Sequence, residues 1–140
     1  MVELSERPLE LEPLIAAVRS DACGAIVTFL GVVREISDDE RPVSGLTYEA
    51  YPEMALLEMR AIVAEASAKF GEAFVALAHR VGVLALGEAS VAIAVAAPHR
   101  GVAFDACEYV IDELKRRVAI WKQEHYLEGA PVWRVNARDE

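Results

Sequence analysis

The apolar residues of this chain alternate between helical and strand-like spacing, and this alternation restricts the folds open to it. Helical stripes predict helices from Glu12 to Arg19, from Pro52 to Phe70, and from the turn at 98–101 to about Trp121. Runs rich in β-forming residues separate them, at residues 24–34, 45–51, 73–83, 90–97 and 132–136. The pattern predicts an α+β fold with a mixed or mainly antiparallel sheet and two main helices, in a single domain over residues 1–140.

Charge and composition exclude several classes of protein. The formal net charge of −9 argues against nucleic acid as a partner, because binding to phosphate backbones needs a basic surface. No run of about 18 apolar residues could span a membrane, and the N-terminus lacks the features of a signal peptide, so we expect a cytoplasmic protein. Cys23 and Cys107 have neither the spacing nor the histidine neighbours of a metal site, so we expect no metal and no disulfide framework.

Lysine is used sparingly in this chain, and its positions are informative. Of three lysines, Lys115 and Lys122 lie seven residues apart in the predicted last helix. Seven residues are close to two helical turns, which would place both amines on one face roughly 10 Å apart. Such a face beside Trp121 indicates a pocket for an anion. The pair alone favours the alternative of an exposed basic turn near a helix C-terminus, where cations are stabilised by the helix dipole.

Further cations lie where strands and helices end. His99 and Arg100 are expected at the start of the last helix, where backbone amides already attract anions. Arg34 follows an apolar strand interrupted by Gly31, which indicates a bulge or a close backbone approach. Its side chain either extends to solvent or binds an anion. If these residues converge with the two lysines, the site stabilises negative charge and offers a lysine for proton transfer. His79, between apolar residues, is interpreted as structural.

The motifs together resemble the large catalytic subunit of molybdopterin synthase. The matching stretches include Phe29-Leu-Gly-Val-Val-Arg34, Ala97-Pro-His-Arg-Gly101 and Leu114-Lys-Arg-Arg-Val-Ala-Ile-Trp-Lys122. Further matches at 46–54 and 79–84 extend the resemblance from about residue 22 to residue 138. The resemblance implies an α/β hammerhead fold with additional antiparallel strands, a sulfurtransferase activity, and no metal or organic cofactor in this subunit. In that family, precursor Z (cyclic pyranopterin monophosphate) is converted to molybdopterin.

The resemblance also implies partners. Sulfur arrives as a thiocarboxylate on the C-terminal Gly-Gly of a small ubiquitin-like subunit, whose tail enters the pocket of the large subunit. Two large subunits form the homodimer at the centre of a heterotetramer. A non-catalytic alternative is an anion-binding dimer, or one that docks a ubiquitin-like protein without turnover. Such degenerate relatives would be expected to lose a lysine or the His-Arg pair, and this sequence retains all four.

Site residues follow from the resemblance position by position. Lys115 matches the lysine closest to the terminal glycine of the partner, and Lys122 matches the second active-site lysine. His99 and Arg100 match the His-Arg pair of the substrate pocket, and Arg34 matches an arginine contributed across the dimer interface. Residues expected to shape the pocket walls flank these positions, namely Val32, Val33, Gln123 and Glu124. Arg138 matches more loosely an arginine near the C-terminus of the family.

Overall fold

The computed structural model describes residues 1–135, so the predicted site residue Arg138 lies outside the described part. These residues form three helices and eight strands, and the strands make two four-stranded sheets. The elements in chain order are β1 (Val2–Ser5), α1 (Leu11–Val18), β2 (Ala25–Val32), β3 (Val43–Ala50), α2 (Pro52–Lys69), β4 (Phe74–Arg80), β5 (Gly82–Ala85), β6 (Ala89–Ala97), α3 (Arg100–Arg117), β7 (Ile120–Tyr126) and β8 (Val132–Val135). The predicted α+β fold with two main helices is confirmed. None of the helices in residues 1–135 is long and apolar enough to cross a membrane.

The first sheet has the strand order β1-β4-β6-β2 and is mixed, because β1 runs parallel to β4 while the other pairs are antiparallel. Larger and smaller side chains alternate along β6, so one face of the strand carries bulky side chains and the other carries alanines. Val91, Ile93 and Val95 pack with α2 and α3 in the main core, whereas Ala92, Ala94 and Ala96 face α1. Alanines on the second face let the short helix approach closely, so the strand is buried on both sides.

The second sheet is antiparallel, with the order β5-β3-β7-β8. Close approach within it requires Gly45, because a Cβ there would lie 2.5 Å from the carbonyl oxygen of Leu84. At the end of the first sheet, the register of β2 against β6 shifts between Gly31 and Val32, which confirms the predicted bulge. The bulge redirects the chain toward the seam between the two sheets.

Two predicted boundaries were wrong. The last helix ends at Arg117 rather than near Trp121, and Val118 is already extended with φ −80° and ψ 136°. The Glu58 carboxylate accepts a hydrogen bond from the Ala119 amide at 2.9 Å, and from Ile120 onward the chain pairs with β3. The predicted strand over 73–83 divides after Arg80, and Gly82 adopts φ +101° as the chain crosses to the second sheet. Lys115 and Lys122 therefore do not share a helix.

Candidate functional site

A pocket of about 200 Å³ lies at the seam where the two sheets meet the C-terminal end of α3. Three cations and two carboxylates are among its lining residues. The lining comprises Gly31, Val32, Val33, Arg34, Ile36, Ser37, Asp38, Val43, Leu46, Tyr48, Ser90, Lys115, Lys122 and Glu124. The pocket therefore brings together six of the predicted site residues: Val32, Val33, Arg34, Lys115, Lys122 and Glu124.

The two lysines reach the pocket from different elements. Lys115 lies in the last turn of α3, and Lys122 lies on β7, opposite Tyr48 of β3. Lys122 and Glu124 are two residues apart on the strand and so share its pocket face. Gln123, between them, belongs to the other face of the strand and is not among the residues that line this pocket.

An aspartate that the sequence prediction missed joins two of the cations. Arg34 Nη2 lies 2.5 Å from Oδ1 of Asp38, and Lys122 Nζ lies 3.5 Å from Oδ2 of the same carboxylate. Partial burial raises the pKa of Asp38, but the charge of Lys122 and the hydrogen bond from Arg34 outweigh it and hold that pKa below its usual value. Arg34 lines the pocket of its own chain, and its contribution across a dimer interface stays a prediction.

Glu124 is a buried carboxylate with its own partners. It is 3% exposed, accepts a hydrogen bond from the Tyr126 hydroxyl at 2.8 Å, and lies 2.9 Å from Nε of Arg134 on β8. Arg134 also forms an ion pair with Asp39. The negative charge of Glu124 is thus balanced from the side of β8.

His79 lies behind the lysines, fully buried as the structural interpretation predicted. Its Nδ1 donates to the carbonyl oxygen of Arg80 at 2.8 Å, because a carbonyl can only accept, and its ring lies edge-on to Tyr48 at 5.1 Å. Burial and, more weakly, the positive charge of Lys115 lower the pKa of His79 to about 4, although the bond to Arg80 opposes the shift. The imidazole beside Lys115 is therefore neutral near pH 7.

His99 and Arg100 are not brought to this pocket. His99 is the residue before α3 and Arg100 its first residue, both exposed, whereas Lys115 lies in the last turn. Fifteen residues of α-helix separate Arg100 from Lys115, a distance of about 22 Å along the axis. Within one chain, His99 and Arg100 therefore do not converge with the lysines.

The match to a known family decides what kind of protein carries this pocket. Residues 4–117 match the sequence model of the MoaE protein family. The chain belongs to this family. A MoaE relative, the molybdopterin synthase catalytic subunit of Coccidioides immitis, is 45% identical over 138 residues, which cover 96% of this chain and 70% of the relative. The molybdopterin synthase catalytic subunit of Thermoplasma volcanium is 44% identical, covering 94% of this chain and 96% of the relative.

Solved structures share the MoaE fold. The crystal structure of molybdopterin synthase from Staphylococcus aureus matches with a TM-score of 0.89 at 34% identity, covering 94% of this chain and 95% of the other. A complex of subunits 1 and 2 of molybdopterin-converting factor from Helicobacter pylori shares the fold with a TM-score of 0.71 at 21% identity, covering 91% and 90%. The family model stops at the end of α3, but the sequence relatives cover enough of this chain to include Lys122 on β7.

Proposed function

We propose that this chain is the catalytic subunit of a molybdopterin synthase, which converts precursor Z to molybdopterin with sulfur from the thiocarboxylated C-terminus of a small ubiquitin-like subunit. The observation that carries the proposal is the convergence of Arg34, Lys115 and Lys122 on one pocket of a MoaE protein. With a formal net charge of −9, the chain repels anions at long range, so an anionic ligand needs such a local group of cations.

The reaction explains why cations are needed. Precursor Z carries a cyclic phosphate, and the sulfur donor is itself an anion, so the two reactants repel each other. Sulfur transfer leaves the donor chain with a carboxylate, which requires hydrolysis of an acyl–sulfur bond through an oxyanion. Lys115 stabilises the thiocarboxylate and that oxyanion, while Lys122 binds phosphate or transfers a proton, and Arg34 holds the phosphate and pterin.

The proposal includes a homodimer in which each pocket is completed by the second copy. The pocket of one chain, at about 200 Å³, falls below the ~300–1,000 Å³ typical of small-molecule sites. His99 and Arg100 lie a helix length away and would serve the pocket of the other chain. Surface for a second copy is available on the edge strand β2, where Ile26, Leu30 and Val32 are exposed.

Mixing two inactive variants tests this exchange. One variant carries Lys115→Ala, and the other carries His99→Ala with Arg100→Ala. In a hybrid dimer, one pocket combines Lys115 of one chain with the His-Arg pair of the other, so refolded equimolar mixtures should recover about one quarter of wild-type activity. Each variant refolded alone is the control. A mixture no more active than either variant would contradict a pocket shared between chains.

The partner in the proposal is a small subunit whose extended C-terminal tail reaches the lysines. The Helicobacter pylori structure that shares this fold is a complex of subunits 1 and 2 of molybdopterin-converting factor. A cytoplasmic location completes the proposal, and the free Cys23 and Cys107 fit the reducing conditions there.

Reconstitution tests the function directly. The purified chain is mixed with precursor Z and the thiocarboxylated small subunit, and molybdopterin is followed as its fluorescent oxidised derivative. We expect product with the thiocarboxylate and none with a small subunit ending in an ordinary carboxylate, which is the matched control. A stable complex with the small subunit that yields no product would instead support the non-catalytic docking dimer.

A further inference from the structure

The carboxylate of Asp38 lies where an external anion would bind. Its two oxygens contact different cations, with Arg34 Nη2 at 2.5 Å and Lys122 Nζ at 3.5 Å. A phosphate or carboxylate group held by the same two side chains would need the same space. Because the pKa of Asp38 lies below its usual value, this carboxylate is ionised at neutral pH and competes as a full negative charge.

The position of Asp38 is set by the segment that carries it, residues 36–42. Ile36 and Pro42 form an isolated bridge, and the Ser37 amide donates to the carbonyl of Arg41 at 2.8 Å. Asp39 forms an ion pair with Arg134, and the Arg41 guanidinium lies 3.5 Å from the centre of the Tyr126 ring. The segment is therefore closed on itself at its ends and attached to β7 and β8 by the residues that follow Asp38, and its Asp38 carboxylate lines the pocket.

Exposure shows from which side Asp38 enters. Its side chain is 72% exposed, whereas that of Lys122 is 17% exposed. The carboxylate therefore covers Lys122 from the solvent side, the direction from which a ligand must arrive. An ion pair this exposed is weak and readily exchanged for another anion.

We propose that Asp38 is a specificity-determining residue that occupies the anion position between Arg34 and Lys122 and must be displaced by the anionic group of an incoming reactant. This inference rests on the proposed function of the same pocket. Asp38 lowers the affinity of the pocket for anions in general. A reactant that makes further contacts in the pocket can displace the Asp38 carboxylate. When the product leaves, Asp38 pairs with Arg34 and Lys122 again.

Anion binding to the purified wild-type chain and its variants tests the role of Asp38. Inorganic phosphate is titrated by isothermal calorimetry at low ionic strength. Asp38→Asn keeps the shape of the side chain but removes its charge, and we expect phosphate to bind about 10-fold more tightly, the scale of one neighbouring charge. Glu40→Gln removes an equal charge from an exposed residue of the same segment and should change the affinity less than twofold.

A second variant shows whether the gain acts through Lys122. Adding Lys122→Ala to Asp38→Asn should abolish the tighter binding. Unchanged or weaker phosphate binding by Asp38→Asn, or an equal gain with Glu40→Gln, would overturn the inference. The titration needs neither precursor Z nor the small subunit. If Asp38→Asn binds phosphate more tightly but the wild-type chain makes no product in reconstitution, the proposed function is rejected and the role of Asp38 is kept. If the wild-type chain makes product but Asp38→Asn does not bind phosphate more tightly, only the role of Asp38 is rejected.

Discussion

Replacing Lys115 by alanine is expected to lower the single-turnover rate of molybdopterin formation by about 10²-fold or more, the scale for one preorganised charge. The residue lies in the last turn of α3 and lines the pocket. The neutral ring of His79 behind it supplies no positive charge that could replace the ammonium. The rate is measured in the reconstituted system with saturating precursor Z.

Arg116 offers a matched control for this prediction. It follows Lys115 in the same helical turn and carries the same charge, but its side chain is 71% exposed and pairs with Glu113 at 3.3 Å. Arg116→Ala should therefore keep a rate within about twofold of the wild type, since an exposed ion pair contributes little. Near-normal product formation by Lys115→Ala, or an equal loss in Arg116→Ala, would contradict the assignment of Lys115.

The sequence carried enough local information to predict most elements and three of the pocket cations. Apolar periodicity located α1, α2 and the start of α3, and Gly31 marked the bulge that brings Arg34 to the pocket. Lys122 lines the same pocket as Lys115, as expected, but it does so from β7 and not from the predicted helix. The helical stripe continues through Val118 and Trp121, but pairing of β7 with β3 outweighs this local preference.

Long-range contacts account for what the sequence could not predict. Asp38 and Lys122 are far apart in the chain. From sequence alone, the acidic segment 36–42 would be assigned to solvent, because its contacts with β7 and β8 depend on the fold. Arg134 likewise meets Glu124 only through the pairing of β7 with β8. His99 and Arg100 are a further case. The sequence left open whether they converge with the lysines, and the length of α3 places them apart within one chain.

Acidification is expected to destabilise this protein through His79. The pKa of this fully buried imidazole falls from an ordinary 6.5 to about 4 in the folded chain, so the unfolded chain binds the proton more readily. The stability contributed by the neutral ring is complete above pH 6.5 and is lost as the pH falls toward 4. At 1.36 kcal/mol per pKa unit, the free energy of unfolding should fall by about 3 kcal/mol over this window from His79 alone.

Urea unfolding at a series of pH values measures this loss, and comparison with variants isolates the histidine from the carboxylates that titrate nearby. His79→Gln should be less stable than the wild type near pH 7, because glutamine fits the buried site poorly. Its stability should nevertheless fall less steeply between pH 6.5 and 4, since the titrating ring is gone. His99→Gln, which removes an exposed histidine, should retain the wild-type slope. Equal slopes for His79→Gln and the wild type would show that the buried ring does not resist protonation, and that Lys115 does not rest beside a neutral imidazole.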